Sequence, residues 1–176
     1  FFPKTPRDYP FAKWNKRKSY RIMTRYIQTH QDNAPKLYWA ANDDIAIGII
    51  AALSKVGRIG GTDYFIAGLN WSDEGLKRVL DGEMLLTHGG HFFAGAWSMV
   101  LLNDTINGID FASESTDIIF PMSEINQHNV KNYLEQFPTS DYWKNINFRS
   151  FSKFYQPDIQ KYDFSLSNIL LSTIKK

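Results

Sequence analysis

The residues able to do chemistry collect in three short segments. Thr87-His88-Gly89-Gly90-His91 carries two of the four histidines, three positions apart around a glycine pair, while Asn42-Asp43-Asp44 and Asn70-Trp71-Ser72 hold amides, carboxylates, an indole and a hydroxyl. Paired imidazoles with Asp43 or Asp44 suit zinc or nickel, although His-x-x-His here lacks the glutamate that acts as general base in helical metalloproteases. Ser72 or Ser98 beside a histidine suits hydrolysis, although no Gly-x-Ser-x-Gly elbow occurs. Asn42, Asp43 and Ser72 equally suit plain helix caps, with His88 at a strand end. The same inventory suits recognition of a small polyol, because amides and carboxylates orient hydroxyls and an aromatic face covers the apolar side of a sugar ring. A few convergent hydrogen bonds of about 1.5 to 3 kcal/mol each reach the roughly 8 kcal/mol of micromolar binding.

The elements that must position these segments follow a rhythm. Residues 36–41 form an apolar run ending at Asn42-Asp43, and 44–56 reads as a helix stopped by Gly57. Residues 63–69 form a second run ending at Asn70. Ser72 then caps a short helix with Asp73 and Glu74 in its first turn, where negative charge suits the helix dipole, and Gly82 closes it. Residues 84–87 form a third run ending at His88, and a helix is expected over 92–103. Strand and helix alternating three times is the pattern of a parallel sheet flanked by helices, since a parallel pairing needs a crossover and the crossover is usually helical. The runs are continuously apolar, as buried parallel strands are. In such an α/β layer ligands bind outside the carboxyl ends of the strands, and that rule selects these three segments.

Around this lobe, set at residues 15–122, the prolines at 3, 6 and 10 mark residues 1–14 as an extended connector, and a helix is expected from Asn15 to Thr29. One more strand is expected at 117–120, with a helix capped by Ser123 running to Phe137. Residues 138–176 are aromatic and polar without a clear period. Together, 123–176 read as a carboxyl-terminal helix and an irregular tail able to wrap a surface outside the lobe.

Composition bounds the function. The 176 residues are 43% hydrophobic, 22% charged and 15% aromatic, which suits one globular domain with a real core. The absence of cysteine excludes disulfides, thiolate zinc and a cysteine nucleophile, and fits an oxidising compartment. No stretch approaches the roughly 20 apolar residues of a membrane span. The chain opens on Phe with no basic-then-apolar leader, as expected of a processed or excised piece of something longer. The first thirty residues hold eight Lys or Arg against Asp8 alone. No helix-turn-helix, zinc module or RNA-binding signature accompanies that charge, so it reads as a solvated helix face and no nucleic-acid partner is expected.

The residues at 40–48, Ala-Ala-Asn-Asp-Asp-Ile-Ala-Ile-Gly, followed by Ile66-Ala67-Gly68-Leu69-Asn70-Trp71 and by the Gly75–Gly82 segment, resemble the carboxyl-terminal lobe of type 1 periplasmic sugar-binding proteins, the ribose and galactose binders and their LacI-type repressor relatives. The resemblance covers about residues 12 to 135. It implies sugar-hydroxyl contacts from Asn42, Asp43 and Asn70, the last at a site often occupied by Asp. It also implies ring stacking by Trp14 in Phe11-Ala12-Lys13-Trp14-Asn15, and hydrogen bonding by His88 or His91 where the family carries Asn or Gln. Trp71 joins this set as an aromatic at the same rim. A histidine there implies a pH-sensitive site. The family is built from two lobes that clamp the ligand by hinge closure, so this lobe supplies half the contacts and by itself binds weakly or not at all. The strand expected before Trp14 is not recognisable. The resemblance further implies no enzymatic step, no cofactor and no metal. It implies a periplasmic location and delivery of a monosaccharide or similar polyol to an inner-membrane ABC transporter permease, with ligand sensing for a membrane sensor kinase or a LacI-type regulator as the alternative, and a metal-dependent hydrolase behind both.

Overall fold

The computed structural model describes residues 11–30 and 36–172, so the three connector prolines lie outside the described residues. Helix α1 (Lys16–His30) precedes β1 (Leu37–Trp39), α2 (Asp43–Ser54), β2 (Phe65–Leu69), α3 (Asp73–Leu80) and β3 (Leu86–Gly89). A 3-10 turn at His91–Phe93 leads into α4 (Ala94–Ile106). Then come β4 (Ser123–Asn126), α5 (Val130–Gln136), two further 3-10 segments at Ser140–Asn145 and Phe148–Phe151, and α6 (Leu166–Leu171).

The four strands form one sheet in the order β1-β2-β3-β4, the first three parallel and β4 antiparallel to β3. This is the α/β architecture the alternating pattern requires. Because β1, β2 and β3 are sequential neighbours, right-handed crossovers put α2 and α3 on the same face, where they pack on each other and on the sheet. Ala46, Ile50, Leu53, Ile66, Leu76 and Val79 are buried between the layers. On the far side of α2 lies α1, its first turn capped by Asn15, whose side-chain oxygen accepts from the Lys18 amide at 2.9 Å.

Two expected elements are corrected. Residues 117–120 are extended chain outside the sheet, because Ser115 and Asp117 close a local turn on each other and leave Ile119 in solvent. The added strand is β4 instead, so Ser123 pairs with Gly89 on the sheet rather than capping a helix. The Asn129 side chain accepts from the Asn126 amide and donates to the Glu124 carbonyl, and this turn delays α5 to Val130. Ile125, opposite Thr87 in the register, is the one strongly apolar residue of β4 and is fully buried.

The tail returns to this same lobe. Trp97 of α4 packs against Phe148, Phe151 and Phe164 at ring-centroid distances of 5.5, 4.9 and 4.8 Å. Two turns further along α4, the buried Asp104 carboxylate accepts from the Ser152 hydroxyl, the Lys153 amide at 2.7 Å and the Tyr162 hydroxyl at 2.8 Å. The segment expected as a separate unit from 123 onward therefore begins inside the sheet and ends fastened to α4.

Candidate ligand-binding site

Parallel strands bring their carboxyl ends to one edge, and the ladder shows how. Trp39 lies opposite Ala67, and Leu69 opposite His88. The Asn70 amide extends the ladder by donating to the His88 carbonyl at 2.7 Å. With neighbouring strands about 4.8 Å apart, the loops opened by Asn42, Asn70 and Gly90 stand side by side.

Each expected site residue can now be placed. Asn42 is 8% exposed, and its side-chain oxygen caps α2 by accepting from the Ile45 amide at 2.9 Å. Its amide nitrogen has no partner among the described residues. Asn70 is half-buried at a φ of 120°, and its side-chain amide likewise has no partner among the described residues. His88 lies on β3, half-buried, in register with Leu69 and Glu124. His91 is exposed on the following 3-10 turn and contacts the edge of Phe92 at 5.4 Å.

Two residues expected at the rim lie beneath it. Asp43 is 1% exposed, with Oδ1 accepting from the Thr87 hydroxyl at 2.7 Å and Oδ2 from the Ser72 amide and hydroxyl, each at 2.8 Å. Burial pushes its carboxyl above the usual range, against the pull of the Thr87 and Ser72 hydrogen bonds. Trp71 is also 1% exposed, at a φ of 53°. Its indole meets Phe92 and Tyr133 edge-on at 5.6 and 5.5 Å and donates to the Ser123 carbonyl at 3.1 Å. Gly89 lies flat on that ring: a Cβ there would stand 2.6 Å from the indole Cγ. The glycine in the His-Gly-Gly-His segment thus makes room for a tryptophan.

Trp14 is 59% exposed at a φ of 56°. It borders a groove of about 460 Å³ with Phe11, Tyr26, Trp39, Ala41 and Ile45, beside the carboxyl end of β1. The edge therefore has an aromatic end at Trp14 and a polar end at Asn70 and the histidines.

Ser72 is consumed as the α3 cap, and the Ser98 hydroxyl donates to the Ala94 carbonyl within its own helix. Among the described residues no group of three or more His, Asp or Glu is arranged to hold a metal ion. Thr87 is the residue that sequence reading passed over. A hydroxyl buried in an apolar strand, in register with Gly68, is the signal that marked it.

The sheet order and the helical crossovers form an α/β lobe whose fold is that of periplasmic sugar-binding proteins among solved structures. No family model and no curated protein sequence matches the chain. Among solved structures, a periplasmic sugar-binding protein from Pseudomonas fluorescens is similar over 91% of this chain and 48% of its own, with 27% identity and a TM-score of 0.72. An ABC transporter solute-binding protein from Bacillus halodurans, solved with bound myo-inositol, matches 69% of this chain and 40% of its own at 25% identity and a TM-score of 0.55. The periplasmic component of the arabinose ABC transporter from Shewanella sp. ANA-3 shares the fold at 18% identity and a TM-score of 0.55, over 69% of this chain and 39% of its own. The chain spans under half the length of these proteins.

Proposed function

We propose that this lobe is part of a periplasmic solute-binding protein that recognises a monosaccharide or similar polyol and hands it to an inner-membrane ABC transporter, without chemical change to the ligand. The observation that carries the reading is the shared strand-end edge. There the side-chain amide nitrogens of Asn42 and Asn70 have no partner among the described residues, the imidazoles of His88 and His91 stand at the end of β3, and an exposed indole, Trp14, lines a groove with Ala41. Neutral amides suit neutral hydroxyls, since each offers both a donor and an acceptor. The structural neighbours support the same class, their names specifying a periplasmic sugar-binding protein, an inositol complex and an arabinose transporter component. No helix among the described residues is long and apolar enough to cross a membrane.

Titration calorimetry of the intact protein with L-arabinose, D-ribose, D-galactose and myo-inositol tests this. Saturable heat with at least one is expected. Silence with all four, alongside binding of a nucleotide or a divalent metal, overturns the reading.

A further inference from the structure

Asn70 and Trp71 are consecutive non-glycine residues at φ 120° and 53°. Such backbone conformations are costly for residues with a side chain and persist only where the surroundings over-determine them. Here the surroundings do so through the backbone amides. The Asn70 N–H goes to the His88 carbonyl, the Trp71 N–H to Thr87 Oγ1 at 3.2 Å, and the Ser72 N–H to Asp43 Oδ2. Thr87 in turn donates its hydroxyl to Asp43 Oδ1, and Ser72 adds its hydroxyl to Oδ2 while accepting from the Gly75 amide. Two of the three anchors therefore end on one carboxylate, that of the first residue of α2. The carboxylate sits in a socket cleared of side chains: a Cβ at Gly68 would stand 2.4 Å from Oδ1, and one at Gly75 2.4 Å from Oδ2.

We propose that Asp43 is a positioning residue: its carboxylate holds the strained Asn70–Trp71 turn and thereby aims the Asn70 amide at the ligand, without touching the ligand itself. Resting on the polyol-binding reading above, this replaces the direct hydroxyl contact that the family resemblance implies for Asp43. Both oxygens are spent on three donors from two other strand ends, and almost none of the side chain reaches solvent. Asparagine at 43 would keep the shape but present an N–H2 group to donors, so one anchor must fail.

The test is made on the intact protein with Asp43→Asn, Thr87→Val and Thr87→Ser, using L-arabinose and myo-inositol as probes. Amide NMR signals and hydrogen exchange are followed at Asn70, Trp71 and Ser72, with His91 as an exposed control. Expected are shifted signals and faster exchange at 70–72 in Asp43→Asn and Thr87→Val, affinity at least roughly tenfold weaker, equivalent to about 1.4 kcal/mol, and near-complete rescue in Thr87→Ser, which keeps the hydroxyl. A folded Asp43→Asn that loses affinity with the 70–72 signals unmoved overturns the proposal in favour of direct ligand contact, and moved signals with unaltered affinity overturn it too. Should Asp43→Asn not fold, the Thr87 pair decides alone. If the wild-type protein binds neither probe, nor D-ribose nor D-galactose, the polyol reading is what fails, and the exchange at 70–72 still shows whether Asp43 sets the turn.

Discussion

Trp14 and Trp71 occupy matching places in the chain. Each has a left-handed backbone, each follows another non-glycine residue of positive φ, and each immediately precedes a helix-capping residue, Asn15 or Ser72. Their surroundings are opposite. Trp71 is locked into the core by the Ser123 carbonyl, by Phe92 and Tyr133, and by the flat face of Gly89, whereas Trp14 stands in solvent on a groove. One local geometry thus serves two ends. A buried anchor shapes the rim from below, and an exposed ring faces solvent. Indole and backbone conformation alone do not tell these apart; the presence or absence of tertiary neighbours does.

The contrast predicts a wide gap in stability. Trp71→Ala empties a dry site and is expected to cost about 3–5 kcal/mol, read as a lowered urea midpoint with an unchanged m-value. A Trp71→Ala variant as stable as wild type would remove the distinction between the two turns. Gly89→Ala probes the same anchor from the other side. Its methyl must displace a rigid ring, and overpacking of this kind costs about 1–3 kcal/mol. A neutral Gly89→Ala would mean that the indole can slide, and with it the turn above.

A second buried site gives an effect of similar size away from the edge. Burial pushes the Asp104 carboxyl up, but hydrogen bonds from Ser152, Tyr162 and the Lys153 amide outweigh it and hold the group below the usual carboxylate range. A depressed folded value means stability that is present above the unfolded value and lost as pH falls through the folded one. Acidification should therefore loosen the tail from α4, and Asp104→Asn should do so at neutral pH at a cost of about 1–3 kcal/mol. Faster hydrogen exchange at the Lys153 amide and earlier proteolysis after residue 138 are the readouts. The Asn70–Ser72 turn, tied to a different carboxylate, should keep its protection.

Much of this architecture was legible in the chain. Three apolar runs, each ending in a polar residue, mark β1 to β3, and the caps Asn42 and Ser72 mark the starts of α2 and α3, because parallel strands advertise themselves by continuous apolarity and helices by their ends. Ser72 was readable as a cap from Asp73 and Glu74 behind it. The antiparallel β4 was not, since Ser-Glu-Ile-Asn offers one strongly apolar residue and its pairing depends on an edge built forty residues earlier. The fate of the tail was hidden as well, because Trp97 and Asp104 find their partners about fifty residues away. At the candidate site, Asn42 and Asn70 were visible from position. The burial of Asp43 and Trp71 was not, because it depends on Thr87, Gly89 and Ser123 meeting them from other strands.

Trp14 itself should barely matter to the fold. Trp14→Ala removes a mostly exposed ring, so the stability change stays within about 0.5 kcal/mol, while polyol affinity falls if the indole covers a sugar face. A stable variant with unaltered affinity would take Trp14 out of the site and leave the polar end to act alone.

The smallest expected effect concerns what holds the exposed turn in place. Just behind Trp14, Lys16 Nζ donates to both oxygens of Glu74, at 2.8 and 2.6 Å, joining the first turn of α1 to the first turn of α3. The Lys16 hydrogen bond is the main cause that holds the Glu74 carboxyl below its usual value. The tie is therefore fully present above the unfolded carboxylate value and is lost as pH falls through the folded one. Both side chains are substantially exposed, and pairs of this kind contribute about 0–1 kcal/mol and weaken with salt. Glu74→Gln should accordingly leave the unfolding midpoint almost unmoved, while the Trp14 and Asn15 amides exchange faster in low salt and lose that difference in high salt. An equal effect at Trp71 would show that the two turns are coupled through α3; protection confined to the Trp14 turn would show that each tryptophan is held by its own neighbours.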